Sequence, residues 1–216
     1  HDKAVRSAIA HIINYDSMAK IIGNSSTPGA APFPPSANLG FDSIANKPMT
    51  DVAKADQLLT QAGYAKNANG IYAKDGKELS LTLAIWGKDT SLYEEIQQEL
   101  KQAGIAVTLK KLQGAGEVDT LGTDGFDMVE RAVVTMSTND PYWYLSLFYK
   151  TGAKANVGAY SNPQVDALID QLSVTFDQNE RANEAKQVQQ LLVDDVADIY
   201  LMYPSATVVS TTKVKN

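Results

Sequence analysis

A strand–helix–strand pattern in the middle of this 216-residue chain constrains its fold more than any other feature. Branched apolar residues occupy every second position from Leu79 to Ile85 and again from Ile105 to Leu109, which is the period of strands that bury one face. Between them, Ser91-Leu-Tyr-Glu94 resembles the capping box of a helix, and Gly104 marks its end. Two strands joined by a helix over so few residues form a βαβ unit with parallel strands. The sequence therefore predicts an α/β fold with a mixed sheet and helices on its faces.

Helices are predicted on both sides of this unit. The first spans Asp2 to Ile13, and Asp16 is interpreted as the N-cap of a short second helix that ends before Gly23. A third helix runs from Asp51 to Gly63. The remaining predicted elements are a hairpin turn at Asp75-Gly76, a strand over 126–135, helices that begin at Asp140, Asn162 and Asp177, and short strands around 199–203 and 207–209.

A proline-rich segment separates the second helix from the third. Residues 23–50 hold five of the eight prolines in the chain, which is too many for a regular element. A loop of this length in a compact domain is usually functional or wraps a neighbouring surface. Its apolar motif, Ala30–Pro35, suits packing against a second lobe, and a surface linker is the equally supported alternative.

The charge and composition of the chain exclude several classes of function. A net charge of −6 and the absence of any Lys/Arg run longer than Lys110-Lys111 argue against a nucleic-acid partner and against a basic membrane-binding patch. Cysteine is absent and the only histidines are His1 and His11, so metal ligation by protein side chains is not expected. The chain has no GxSxG, P-loop or HExxH motif, so we expect a protein that is not an enzyme and that carries no cofactor. Its opening at His1-Asp-Lys-Ala suggests a fragment of a longer protein.

The best candidate for a binding surface lies between the last long predicted strand and the helix at Asp140. The carboxyl ends of strands face the ligand crevice in α/β sheets, and the free N–H groups of a helix N-terminus favour an anion. Glu130 and Arg131 interrupt an apolar run there, with their side chains on opposite faces. A buried arginine needs a partner, so Arg131 either forms a structural ion pair or lines the cleft, and we favour the cleft. The predicted ligand-binding residues are Arg131, Thr135, Ser137, Thr138, Asn139 and Tyr142.

The helix at Asp140 carries five aromatic residues within eight positions. The side formed by Trp143, Tyr144, Leu147 and Phe148 is predicted to face the core. Tyr142 points elsewhere and lies in the first turn, close to the predicted cleft.

Five short motifs follow one another along nearly the whole chain: Asp2–Ala10, Ala55–Tyr64, Gly125–Met128, Asp140-Pro141 and Tyr160–Ile169. Together they resemble the "VRxAI", "A..LL.eAGy", "fDm", "DP" and "YsNPevDaLI" motifs of the extracytoplasmic solute-binding proteins of family 5. This family comprises the oligopeptide-, dipeptide- and nickel-binding proteins of ABC importers.

The resemblance implies an architecture of the periplasmic binding protein type, in which two lobes close on a ligand, and it implies that this chain is the second lobe alone. Residues 1–216 would form a single α/β ligand-binding lobe. Its parts would be a helical entry after the hinge (1–22), the proline-rich loop (23–50), an α/β core (51–205) and an exit strand toward the missing first lobe (206–216). In the full-length protein a signal peptide, often with a lipid-anchored cysteine, would precede residue 1 and make the protein an extracytoplasmic lipoprotein.

The implied function is that of the substrate-binding component of an ABC importer, which captures a small solute between its lobes and delivers it to the membrane permease. In peptide-binding members, an acidic residue a few positions before the Asp-Pro step commonly meets the amino terminus of the ligand. This chain has the neutral residues Ser137, Thr138 and Asn139 there. The 127–131 and 158–162 segments look closer to nickel- or metallophore-binding members, in which Arg131 would meet the carboxylates of a metal chelate. A short peptide is the second ligand class, and a stand-alone enzyme or a receptor-type interaction module are the alternative functions.

Overall fold

The structure is a computed structural model that describes residues 2–23, 26–121, 125–136 and 140–205. Its helices are α1 (Lys3–Ile12), α2 (Tyr15–Ile22), α3 (Val52–Gln61), α4 (Ser91–Ala103), α5 (Glu117–Leu121), α6 (Pro141–Phe148), α7 (Pro163–Leu172) and α8 (Gln178–Asp194), with short 3₁₀ helices at Pro35–Ala37 and Phe41–Ser43. Its strands are β1 (Thr27–Pro28), β2 (Ala65–Lys66), β3 (Tyr72–Lys74), β4 (Lys77–Glu78), β5 (Ser80–Ile85), β6 (Ala106–Lys111), β7 (Met128–Val129) and β8 (Met202–Tyr203). Within the described ranges, no helix combines the length and the apolarity that crossing a bilayer requires.

The predicted βαβ unit is confirmed as β5, α4 and β6. The two strands pair in parallel from Ser80 beside Ala106 to Ile85 beside Lys111. β7 pairs in parallel with the other side of β5, so the strand order is β6-β5-β7 and all three carboxyl ends lie at one edge. Every residue of β5 from Leu83 to Ile85 is buried. The predicted alternation is therefore wrong for the second half of this strand, because a central parallel strand is covered on both faces.

The strand predicted over 126–135 is much shorter in the structure, and only Met128 and Val129 pair with β5. The reason lies in the next residue. The carboxylate of Glu130 accepts hydrogen bonds from the backbone N–H groups of Trp86 (2.6 Å) and Gly87 (2.9 Å), just after β5. A side chain thus occupies the donors that a longer β7 could have used, and the ladder stops.

Most of the predicted helix starts are confirmed, because the capping side chain bonds to the first turn in each case. Asp140 accepts from the N–H of Tyr142, and the side chains of Asp2, Asp51, Asn162 and Asp177 likewise accept from an N–H two or three residues further on. The predicted N-cap of α2 is wrong, since the N-cap is Asn14 and Asp16 lies in the first turn, but the helix ends before Gly23 as predicted. The predicted capping box at the start of α4 is also wrong.

At α4 the N-cap is Thr90, and it makes no hydrogen bond to the backbone of the first turn. Its hydroxyl donates instead to the carboxylate of Glu94 at 2.6 Å. The backbone N–H and the hydroxyl of Ser91 both donate to Asp89, at 2.9 and 2.5 Å. Asp89 therefore provides the acceptor that the pattern assigned to Ser91.

The proline-rich segment packs inside this chain, against α6 and α8. Phe33 is fully buried and meets the ring of Tyr144 edge-on, with 5.5 Å between centroids. The side-chain amide of Gln189, which has no exposed surface, accepts from the N–H of Phe33 (3.3 Å) and donates to the carbonyl of Leu39 (2.8 Å). Both earlier interpretations of the Ala30–Pro35 motif, as a surface linker and as a contact for a second lobe, are wrong for Phe33.

The predicted core-facing side of α6 is confirmed for Tyr144 and Phe148 and wrong for Trp143. Tyr144 and Leu145 are buried, together with Tyr149 just after the helix, whereas Trp143 is 38% exposed. Pro141, Tyr144, Leu145 and Phe148 follow the i, i+3, i+4, i+7 spacing of a core-facing side. Trp143 lies outside that set and extends toward solvent, with an edge-on contact to Phe148.

Two hydrophobic clusters contain most of the buried apolar side chains of the described residues. The first joins α1–α4 with residues of β5 and β6, and the second joins α6–α8 with Phe33. The division of residues 1–216 into the parts of a single lobe stays a prediction.

We expect Phe33→Ala to lower the free energy of unfolding by about 3–5 kcal/mol, because it leaves a cavity between the proline-rich segment and α6. Urea unfolding of the variant would measure this change. The matched control is Phe176→Ala, whose ring is 89% exposed and should cost less than about 0.5 kcal/mol. Equal effects at the two positions would contradict the packing described here.

Candidate ligand-binding site

The carboxyl edge of the parallel sheet is the natural place for a ligand in this fold. Trp86 follows β5 directly, and Glu130 and Arg131 follow β7. Glu130 is only 8% exposed, and its hydrogen bonds fix the turn that carries Trp86. The hydrogen bonds between the Glu130 carboxylate and the backbone N–H groups after β5 thereby hold the ends of β5 and β7 together.

A cavity of about 230 Å³ opens beside Glu130. Its walls are formed by the residues after β5, by the start of α4, by the end of α2 and by the segment after β7. The lining residues are Ile22, Trp86, Gly87, Asp89, Leu92, Tyr93, Glu130 and Ala132. Sequence reasoning missed Trp86 and Tyr93, although the position of Trp86 just after a predicted strand was a signal that could have indicated it.

Arg131 forms an ion pair with Asp198, so the structure contains the structural pairing that we considered for it. Its guanidinium also lies over the ring of Phe148, 4.7 Å from the centroid, and donates to the carbonyl of Ala155 at 3.4 Å. Burial opposes the charged form of Arg131, but Asp198 outweighs it, and the net effect is a raised pKa. The side chain remains 23% exposed, so part of it is accessible.

Three tyrosines extend this ion pair into a buried polar network. The hydroxyl of Tyr149 donates to Asp198 at 2.6 Å and lies 3.0 Å from the hydroxyl of Tyr144 and 3.2 Å from that of Tyr200. Burial raises the pKa of Tyr144 to about 12, and the charge of Asp198 adds to the effect. Burial and then Asp198 also raise the pKa of Tyr149 and Tyr200 well above the ordinary value.

A second ion pair holds the N-terminus of α6. The Asp140 carboxylate receives two hydrogen bonds from one nitrogen of Arg181, at 2.6 and 2.7 Å, in addition to the N–H of Tyr142. The other terminal nitrogen of Arg181 donates to the carbonyls of Leu172 and Thr175, at 2.6 Å each. Arg181 thus joins the starts of α6 and α8 to the end of α7, a role that no local signal in the sequence indicated.

The structure places the remaining predicted site residues only in part. Thr135 is partly buried in a turn after β7, and Tyr142 is 37% exposed in the first turn of α6. Ser137, Thr138 and Asn139 lie outside the described residues. Ligand contact by these residues and by Arg131 stays a prediction. Among the described residues there is no group of three or more side chains suited to hold a metal ion.

The tyrosine network predicts a loss of stability at alkaline pH. A tyrosine whose folded pKa is raised contributes stability that is complete below the unfolded pKa of about 10 and is lost as the pH rises above it. The free energy of unfolding should therefore fall above about pH 10, by about 1.4 kcal/mol per pH unit for each such group. Urea unfolding across this range would measure the slope. Tyr149→Phe should make it shallower, whereas the control Tyr142→Phe should leave it unchanged. Identical slopes for the two variants would contradict the assignment.

Comparison with known proteins agrees with this fold. The sequence model of the bacterial extracellular solute-binding proteins, family 5 Middle, matches residues 1–156. The chain is 28% identical over 221 residues to the nickel-binding protein NikA of Staphylococcus aureus (strain NCTC 8325 / PS 47), covering 99% of the chain and 42% of that protein. It is 25% identical over 213 residues to the oligopeptide-binding protein AppA of Bacillus subtilis (strain 168), covering 94% of the chain and 39% of that protein.

The fold is also that of a solved structure, a nickel ABC transporter protein from Bacillus halodurans. The two superpose with a TM-score of 0.83 at 24% sequence identity, over 94% of this chain and 42% of the other. The α/β fold of the periplasmic binding protein type is therefore confirmed. The chain spans about two fifths of the length of the curated relatives that it matches. It belongs to the bacterial extracellular solute-binding proteins of family 5, which are transport binding proteins and not enzymes.

Proposed function

We propose that this chain is the second lobe of the substrate-binding component of an ABC importer. It captures a small solute against a first lobe of the same polypeptide, and the closed protein delivers the solute to the membrane permease. The full-length protein acts outside the cytoplasmic membrane and is held there by a lipid anchor. The solute is a nickel or other metal chelate, or a short peptide.

The observation that carries this proposal is the parallel arrangement of β5, β6 and β7. Because three carboxyl ends meet at one edge, the groups that follow them can face one ligand. Arg131, Thr135 and Tyr142 belong to the segment that follows β7, and Ser137, Thr138 and Asn139 complete the proposed contact set. The ion pair with Asp198 gives Arg131 a structural role, but 23% of its side chain stays exposed, and we propose that this exposed part contacts the ligand.

Similarity to both nickel- and peptide-binding proteins leaves two ligand classes in the proposal. The neutral residues before Asp140 favour the chelate, since the acid that meets a peptide amino terminus in the family is not at that place. Arg131 would then face a carboxylate of the chelate. The receptor-type alternative loses most of its one support, because the centre of the apolar motif, from Ala31 to Phe33, is buried within this chain.

Mass spectrometry of the full-length protein, purified without added ligand, tests the function, with metal analysis of the same sample. We expect a small solute to co-purify, together with metal if it is a chelate. The proposal fails if no solute co-purifies and if neither nickel chelates nor short peptides raise the melting temperature of the protein.

Replacement of Arg131 tests its contact with the ligand. We expect Arg131→Ala in the full-length protein to weaken binding of the co-purified solute by about 1–3 kcal/mol in calorimetry, the scale of a charge-assisted hydrogen bond. The matched control is Arg6→Ala, because the guanidinium of Arg6 donates to the carbonyls of Asp195 and Val196 instead. Both variants should be less stable, so binding is measured where each is folded. Unchanged affinity in Arg131→Ala would assign this side chain to structure alone.

A further inference from the structure

The cavity beside Glu130 is lined by aromatic and aliphatic side chains together with two carboxylates. Trp86 and Tyr93 contribute rings, and Ile22, Leu92 and Ala132 contribute aliphatic surface. Among the described residues, the charged side chains that line it are those of Glu130 and Asp89. Of these, Glu130 is buried within the chain and Asp89 lies at the rim.

The charge of Glu130 is not balanced by a cation within the described part of the chain. Its carboxylate receives the N–H groups of Trp86 and Gly87, at 2.6 and 2.9 Å. Both donors are neutral, so they solvate the carboxylate without cancelling its charge. None of the four ion pairs between described residues includes Glu130 or Asp89.

Asp89 adds a second negative charge at the mouth of the cavity. Hydrogen bonds from the side chain and then the backbone of Ser91 lower the pKa of Asp89, so it is ionised at neutral pH. A buried carboxylate with no counter-ion is costly, and a cation that enters such a site recovers part of that cost. Ring faces such as those of Trp86 and Tyr93 favour an organic cation over a hydrated metal ion.

We infer that this cavity is a subsite for an organic ammonium group of the solute, with Glu130 as its counter-ion and Trp86 and Tyr93 as its walls. The inference rests on the proposed solute-binding function in so far as the ammonium group belongs to the transported ligand.

The inference can be tested with probes that differ in charge but share one apolar stem. Ligand-free full-length protein is titrated with n-butylammonium chloride, n-butanol and sodium butyrate at constant ionic strength, by calorimetry and by tryptophan fluorescence. We expect butylammonium to bind about tenfold or more tightly than butanol, and butyrate to bind more weakly still. Equal affinities for butylammonium and butanol would overturn the inference.

Two variants test the assignment to Glu130. Glu130→Gln keeps an acceptor for Trp86 and Gly87 but removes the charge, and we expect it to weaken butylammonium binding about tenfold. The matched control is Glu184→Gln, which removes the charge of another buried glutamate, on α8, and should not change the affinity. If Glu130→Gln does not fold, the rim variant Asp89→Asn should still weaken binding several-fold. Unchanged binding in the folded variants would overturn the subsite.

The outcomes separate this inference from the proposed function. A solute that co-purifies while butylammonium shows no preference over butanol removes only the ammonium subsite. If butylammonium binding depends on Glu130 but the protein captures no solute, the proposed transport function is contradicted and the ammonium site is supported.

Discussion

The parallel pairing of β5 with β6 on one side and β7 on the other is the constraint on which the rest of this structure depends. It brings the ends of three strands to one edge, although the chain positions involved lie far apart in sequence. The pairing of β5 with β7 is ended by a side chain. Glu130 takes the two N–H groups that follow β5, so the chain after β7 is free to leave the sheet and approach α6. A longer ladder would have kept that segment within the sheet and away from the helix.

Two arginines then fix the two ends of the chain segment between β7 and α6. Each arginine does so by contacting a carboxylate and at least one backbone carbonyl. Arg131 meets Asp198 and Ala155, and Arg181 meets Asp140 and the end of α7. Such pairs contribute little stability when exposed, but they fix orientation where burial is high. The part of the chain proposed to contact ligand thus begins and ends at rigid points.

A feature could be predicted from the sequence when the residues that form it lie close together along the chain. The N-caps at Asp140, Asn162 and Asp177 and the apolar patterns of β5 and β6 are local, and the caps and the two strands were predicted correctly, although the alternation in β5 fails after Thr82. The bond between Arg181 and Asp140 spans 41 residues, and the role of Glu130 depends on a strand 44 residues away, so no local pattern encodes either. Trp143 was wrongly assigned to the buried side of α6 because nearly every position of that helix is apolar or aromatic, which leaves the periodicity without contrast.

The buried amide of Gln189 has a consequence for how this family member can vary. It contacts the proline-rich segment at Phe33 and again at Leu39, with one atom as acceptor and the other as donor. These two contacts fix the number of residues between them, because an inserted or deleted residue would pull one backbone group away from the amide and leave it unsatisfied in the core. A stretch without long regular secondary structure therefore has a length as strictly defined as that of a helix, and it should tolerate substitution more readily than insertion.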